Sequence, residues 1–191
     1  LRANMTKDEF VKEVLDGIGK APQYFSKNAK LNQSGYSELE EVLKKGNIPL
    51  SVSEFESHAV KENILVLDVR TQKDFIDSHI PGSLFIGLNG KFAPWVGALI
   101  SDIKQPILLV VPEGKSEEAV TRLARVGYDY ALGYLEGGME AWIAAGKISD
   151  KLTSISSLEF EQRTKKQTLS VLDVRKKGEY DTMHLKLDGL Q

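Results

Sequence analysis

The chain is organised around ILVLDVR at residues 64–70, a continuous apolar run that ends in Asp68 and Arg70. An apolar run with polar residues at its carboxyl end is typical of a strand buried in a parallel sheet. A second run of this kind, at residues 107–111, follows Pro106 and is broken by Pro112-Glu113-Gly114. The two runs predict two buried strands, each followed by a polar loop.

The segments around these strands alternate between helical and extended patterns. Helices are predicted at residues 73–78, 116–126 and 139–145, and further strands at 84–86 and 130–135. Strands that alternate with helices imply a mostly parallel sheet that is covered on both faces. The predicted fold class is therefore α/β, with a helical segment before the sheet.

The chain contains an internal similarity. Residues 50–80 and 155–185 align without a gap, with 11 identities in 31 positions, and VLDVR at 66–70 recurs at 171–175. Unrelated segments would share about two residues. We interpret the match as a duplication whose second copy, at residues 150–191, is too short to close a core. Its tail, residues 186–191, is expected to be poorly ordered.

Composition narrows the classes of function. The 191 residues include 25 basic and 27 acidic side chains, so no strong net field favours nucleic acid or a membrane surface as a partner. No apolar run reaches the roughly 20 residues that span a bilayer. The opening LRANMTKDEF lacks the profile of a secretory signal, and we therefore expect a cytoplasmic protein.

The sequence contains no cysteine. This excludes disulfides, thiolate metal sites, thiol nucleophiles and persulfide carriers from the chain. The sequence also begins at Leu1 without an initiator methionine and stops at Gln191 within the repeated pattern. We therefore expect it to be a fragment of a longer protein.

Several motifs together resemble the rhodanese domain. They are VLDVR at 66–70, Phe75, HIPGS at 79–83, the strand–loop–helix at 107–126 and LEGGMEAW at 135–142. The resemblance places a complete rhodanese-like domain at residues 49–149. It implies a site on the loop after the fourth strand, where a cysteine thiolate accepts sulfane sulfur and the next helix N-terminus stabilises the anion.

The loop at this position departs from the family pattern. It lacks cysteine and is about two residues shorter than the usual active loop, and Ser116 has no evident base to activate it. The degenerate loop consists of Pro112, Glu113, Gly114, Lys115 and Ser116. We predict no catalytic residue and no sulfurtransferase or cysteine-phosphatase activity here. Binding of an anion by Lys115 and the neighbouring backbone remains open, as does a solvated lysine.

Within residues 1–48, the stretch TKDEFVKEVLDGIGKAPQYFSKNAKLNQSGY at 6–36 resembles the C-terminal tail of metallo-β-lactamase-fold hydrolases of the persulfide dioxygenase and glyoxalase II type. Thr6 and Glu9 form a capping box that predicts a helix, residues 21–31 are predicted to be extended, and a second helix is predicted at 37–44. The HxHxDH metal motif of that family is absent. We therefore predict no metal or cofactor in this chain, and a Zn or Fe site in an upstream domain.

The other conspicuous residues have structural explanations. Asp68 and Arg70 are interpreted as a network at a strand end rather than a charged pair facing a ligand. The histidines His79 and His184 lack metal-ligand spacing and are interpreted as stabilising turns. We assign Gly137 and Gly138 to a helix entry rather than a phosphate cradle, and Trp142 to the core.

Residues 87–95 are predicted to form a long loop that carries Phe92 and Trp95 beside glycines. Two interpretations stay open for these aromatic residues. They could line a pocket or dock against a partner domain, or they could have no functional use.

Three hypotheses of function follow. The first is a non-catalytic rhodanese-like module for interaction, positioning or assembly of an upstream metallo-β-lactamase-like hydrolase or dioxygenase, with self-association as a further option. In the second, the 112–116 loop binds small sulfur compounds or other anions and presents them to the metal centre. The third, an enzyme with an unorthodox nucleophile, is the least favoured because sulfur transfer requires a thiolate.

Overall fold

A computed structural model describes residues 5–16, 25 and 38–186 of the chain. The chain forms two compact units, Leu1–Leu152 and Thr153–Gln191. The predicted extended stretch at 21–31 and the tail at 186–191 lie outside the described residues, apart from Phe25 and Lys186.

In the described residues 5–16 and 38–48, two helices precede the sheet. Helix α1 (Lys7–Leu15) begins at a capping box in which Thr6 N donates to Glu9 Oε2 at 2.8 Å and Glu9 N donates to Thr6 Oγ1 at 3.3 Å. The predicted first helix is therefore present. Helix α2 (Leu39–Gly46) packs against the sheet domain, because Val42 belongs to its core and Gly46 lies directly against Ala131.

The sheet has five strands, all paired in parallel, in the order β1-β5-β4-β2-β3. The strands are β1 (Pro49–Leu50), β2 (Leu65–Asp68), β3 (Leu84–Phe85), β4 (Ile107–Val110) and β5 (Ala131–Leu135). The two apolar runs found in the sequence become β2 and β4, which pair in register with Leu67 opposite Leu109. The carboxyl end of β4 therefore lies in the middle of one edge of the sheet.

Helices cover both faces of this sheet, and the α/β fold class is confirmed. They are α3 (Val52–Ala59), α4 (Gln72–Asp77), α5 (Phe92–Leu99), α6 (Ser116–Ala124) and α7 (Gly138–Ala144). The domain has two hydrophobic clusters, and successive residues of β4 belong to different ones. Leu109 is in the same cluster as Val120 of α6, and Leu108 is in the same cluster as Phe55 of α3. This alternation is the geometry of a strand whose neighbouring side chains point to opposite faces.

The prediction of a long loop at residues 87–95 is wrong in its second part, because α5 begins at Phe92. Phe92, Val96 and Ile100 follow one another at helical spacing and are all buried in the core. Pro94 is tolerated because it lies in the first turn, where a backbone N–H has no partner within the helix.

The second unit contains helices α8 (Ser157–Thr164) and α9 (Lys177–Thr182). No side chain among its described residues, 153–186, is buried. Throughout the part of the chain that the structure describes, no helix has both the length and the apolar character needed to cross a membrane.

Candidate functional site

The five residues of the predicted degenerate loop form one turn at the carboxyl end of β4. Lys115 N donates to Pro112 O at 3.1 Å, and Gly114 adopts a left-handed conformation with φ of 69° that glycine accommodates without strain. Helix α6 then begins at Ser116, with Lys115 as its N-cap and no side-chain cap bond. The turn therefore occupies the place where the family resemblance puts a catalytic loop.

The charges around this turn are mainly negative. Glu117 and Glu118 lie in the first turn of α6, and Glu113 is exposed on the turn itself. Lys115 Nζ contacts Glu118 Oε2 at 2.9 Å, and this hydrogen bond lowers the pKa of Glu118 below its ordinary value. Arg122 Nε also lies 3.2 Å from Glu118 Oε1, so Glu118 pairs with two cations and Lys115 is already engaged. A paired lysine beside acidic residues at a helix start disfavours an additional anion.

Ser116 is the only hydroxyl in this turn. Its Oγ makes no hydrogen bond to a base within the described part of the chain. A serine hydroxyl needs an adjacent general base to act as a nucleophile. The geometry therefore offers no activated nucleophile in the described loop.

Asp68 and Arg70 form a network at the end of β2. Arg70 Nε donates to Asp68 Oδ1 at 3.0 Å, and Arg70 Nη2 donates both to Asp68 Oδ2 and to the carbonyl of Ser78 at 2.6 Å. The side chain of Asp68 is fully buried, and that of Arg70 is 10% exposed. The pair connects the strand end to the chain that follows α4.

His79 lies in the turn after α4. Its Nδ1 is 2.8 Å from the carbonyl of Phe75, and its ring stacks on the Phe75 ring with centroids 4.1 Å apart. The backbone of His79 also exchanges two hydrogen bonds of 2.8 Å with Asp150. Among the described residues, no group of three histidine or carboxylate side chains is placed to hold a metal ion.

Gly137 and Gly138 follow the carboxyl end of β5, and Trp142 lies in the helix α7 that begins there. Gly137 has φ of 70° at the start of α7, and a Cβ there would come within 2.8 Å of Ala141 Cβ. Trp142 is buried, donates from Nε1 to Ile148 O at 2.8 Å, and packs edge-on against Phe55. Close packing accounts for these residues without a ligand.

The structure separates the two aromatic residues of the predicted contact loop. Phe92 is 3% exposed and belongs to the core, whereas Trp95 is 55% exposed and lines a cavity of about 460 Å³. Arg70 and Lys91 line the same cavity, and the sequence interpretation had not connected either residue with it. The available signal was the spacing of Trp95 and Leu99, four residues apart and beside the buried face of α5.

The fold and the turn define a class: a parallel α/β domain whose candidate site follows the central strand. Residues 51–145 match the family model of the Rhodanese-like domain. This part of the chain is a rhodanese-like domain, as the resemblance implied.

Several solved structures are similar to the chain. The Alr3790 protein from Anabaena sp. is 19% identical with a TM-score of 0.49, covering 59% of this chain and 99% of its own. A thiosulfate sulfurtransferase from Pseudomonas aeruginosa is 19% identical with a TM-score of 0.47, covering 80% of this chain and 35% of its own. The BH2092 protein from Bacillus halodurans is 16% identical with a TM-score of 0.45, covering 69% and 98%. No curated protein sequence matches the chain.

Proposed function

We propose that this rhodanese-like domain is non-catalytic and serves in interaction, positioning or assembly for an upstream metallo-β-lactamase-fold hydrolase or persulfide dioxygenase. The observation that carries the proposal is the turn at residues 112–116, which follows β4 where the resemblance puts the catalytic loop and contains no thiol. Sulfur transfer by this family requires a thiolate that forms a persulfide, and neither a hydroxyl nor a carboxylate replaces it.

The charge of the turn supports the same conclusion. An active loop of this type would stabilise an anion at the start of α6, where backbone N–H groups are unpaired. Here Glu117 and Glu118 occupy that helix turn, and Lys115 is bound to Glu118. Binding of small sulfur anions by this loop, the alternative function, therefore gains no support from its electrostatics.

The partner is proposed from the first part of the chain. Residues 1–48 resemble the tail of the metal-dependent enzymes, and α1 exposes an apolar face that includes Phe10, Val14 and Leu15. Exposed apolar side chains that follow one another along a helix face are typical of a contact surface. We therefore propose that α1 contacts the upstream domain, which would hold Zn or Fe in an HxHxDH motif.

The first experiment asks whether the chain handles sulfur. The full chain is incubated with thiosulfate, and its intact mass is measured before cyanide is added to detect thiocyanate. We expect no mass increase of one sulfur atom and no thiocyanate above the buffer blank, with a cysteine-bearing rhodanese as the positive control. Thiocyanate formation that disappears in Ser116→Ala would overturn the proposal.

The second experiment tests the partner. The region encoded upstream of Leu1 is expected to contain HxHxDH, and it is expressed separately and titrated with the full chain by calorimetry. Phe10→Asp should weaken binding by about tenfold or more, since it places a charge in a desolvated contact. Val60→Asp is the matched control, because Val60 is 77% exposed on another helix end. Absence of the motif, or equal effects of the two variants, would contradict the proposed partnership.

A further inference from the structure

A cavity of about 460 Å³ opens at the carboxyl ends of β2 and β3. Its walls come from three segments of the chain: the end of β2, the loop after β3, and α5. No residue of the 112–116 turn lines it. The cavity is thus separate from the degenerate catalytic position, and its size is within the range of small-molecule sites.

The charged side chains of the lining are cationic, and Thr71, Gln72 and Asn89 add neutral polar groups. Arg70 and Lys91 contribute positive charges, that of Arg70 being paired with Asp68, and none of the described aspartates and glutamates lines the cavity. Within the described structure, Arg70 uses Nε and Nη2 for Asp68 and Ser78 O, while its Nη1 has no hydrogen-bond partner. Asp68 therefore holds the guanidinium in one orientation, and Arg70 is a fixed cationic group in the lining.

The apolar part of the lining is more exposed than is usual for large side chains. Trp95 is 55% exposed and Leu99 is 50% exposed, and both lie on the outer face of α5. Phe85, at the end of β3, forms another part of the wall. A flat apolar group that covered these side chains would remove apolar surface from water, which favours binding.

We propose that this cavity binds a small organic anion that carries a flat apolar group, of which aromatic carboxylates are the simplest. The anionic group is recognised by Lys91 and Arg70, and the ring packs on Trp95 and Leu99. This assignment does not depend on the proposed function of the domain. It also gives a purpose to Trp95, which the packing of the core does not use.

Nuclear magnetic resonance titration of the ¹⁵N-labelled full chain with benzoate tests the proposal. We expect saturable shifts of the Trp95 indole N–H and the Lys91 amide, with a millimolar dissociation constant, as is usual for so small a ligand. Benzamide has the same ring without the charge, and it should bind about tenfold more weakly because the charge-assisted hydrogen bonds are lost. Equal affinity for the two compounds would overturn the assignment of an anion site.

Variants locate the site within the cavity. Lys91→Met should weaken benzoate binding by about tenfold, whereas Lys104→Met, at another exposed lysine, should leave it unchanged. Trp95→Ala should weaken benzoate and benzamide to the same extent, since it removes the apolar contact. Folding of each variant is checked by the indole resonance of the buried Trp142. No shift at Trp95 on addition of benzoate, or equal effects of the two lysine variants, would refute the proposal.

Discussion

The two VLDVR segments of this chain adopt the same local structure in different surroundings. In each, the arginine Nε donates to the aspartate Oδ1 at 3.0 Å, and Nη2 donates to Oδ2 at 2.6 Å. In each, Nη2 also reaches a backbone carbonyl eight residues further along the chain. The groups concerned are Asp68, Arg70 and Ser78 O in the first segment, and Asp173, Arg175 and Met183 O in the second.

The agreement extends beyond this pair. His79 and His184 each place Nδ1 2.8 Å from a carbonyl four residues earlier, and each ring stacks on an aromatic ring at 4.1 and 4.0 Å respectively. Helices α3 and α4 have counterparts in α8 and α9, with bounds displaced by 105 residues in both cases. Local sequence is therefore sufficient to specify these caps, turns and side-chain networks.

The apolar side chains of the two segments differ strongly in burial. Leu67 and Val69 are 0% and 1% exposed, whereas the corresponding Leu172 and Val174 are 70% and 84% exposed. The first segment lies between two strands of a sheet with helices on both faces, and the described part of the second unit supplies no such neighbours. The same hydrogen bonds should consequently contribute differently to the free energy of unfolding in the first and the second segment.

The largest expected effect is the loss of stability when the aspartate of the first Asp–Arg pair is removed. Asp68→Ala leaves the nearly buried guanidinium of Arg70 without its counter-charge, and this should lower the free energy of unfolding by about 3–5 kcal/mol. Asp173→Ala makes the same change where Arg175 is 42% exposed, and there we expect a much smaller loss, because water replaces the lost partner. Urea unfolding followed by far-ultraviolet circular dichroism measures both. Similar losses in the two variants would show that burial does not set the value of the pair.

The parts of the fold that sequence could predict are those with a local signal. The apolar runs predicted β2 and β4 to within one or two residues of their ends, and Thr6 with Glu9 predicted the start of α1. Helix α5 was missed because no side chain caps it and glycines precede it, which is the composition of a loop. The core spacing of Phe92 and Val96 was the overlooked evidence.

The cavity at α5 could not be predicted in the same way. Arg70, Phe85 and Lys91 come together only because β2 and β3 are neighbours in the sheet, a fact of topology that no local pattern contains. The 112–116 turn, in contrast, is contiguous, and its residues could be identified from the sequence. Its charge arrangement still needed the structure, since the contact of Lys115 with Glu118 decides whether the lysine is available.

The smallest effect concerns the titration of Asp173. Hydrogen bonds from the side chain and then the backbone of Arg175 lower the pKa of Asp173 from its ordinary 3.8 to about 2. A depressed carboxyl pKa means that the network contributes in full above pH 3.8 and that its contribution is lost as the pH falls through about 2. Carbon-detected magnetic resonance of the carboxyl group should show this midpoint, and Arg175→Gln should return it toward 3.8. An unshifted midpoint in the unaltered chain would mean that the Asp–Arg network requires the sheet, so that local sequence alone does not specify it.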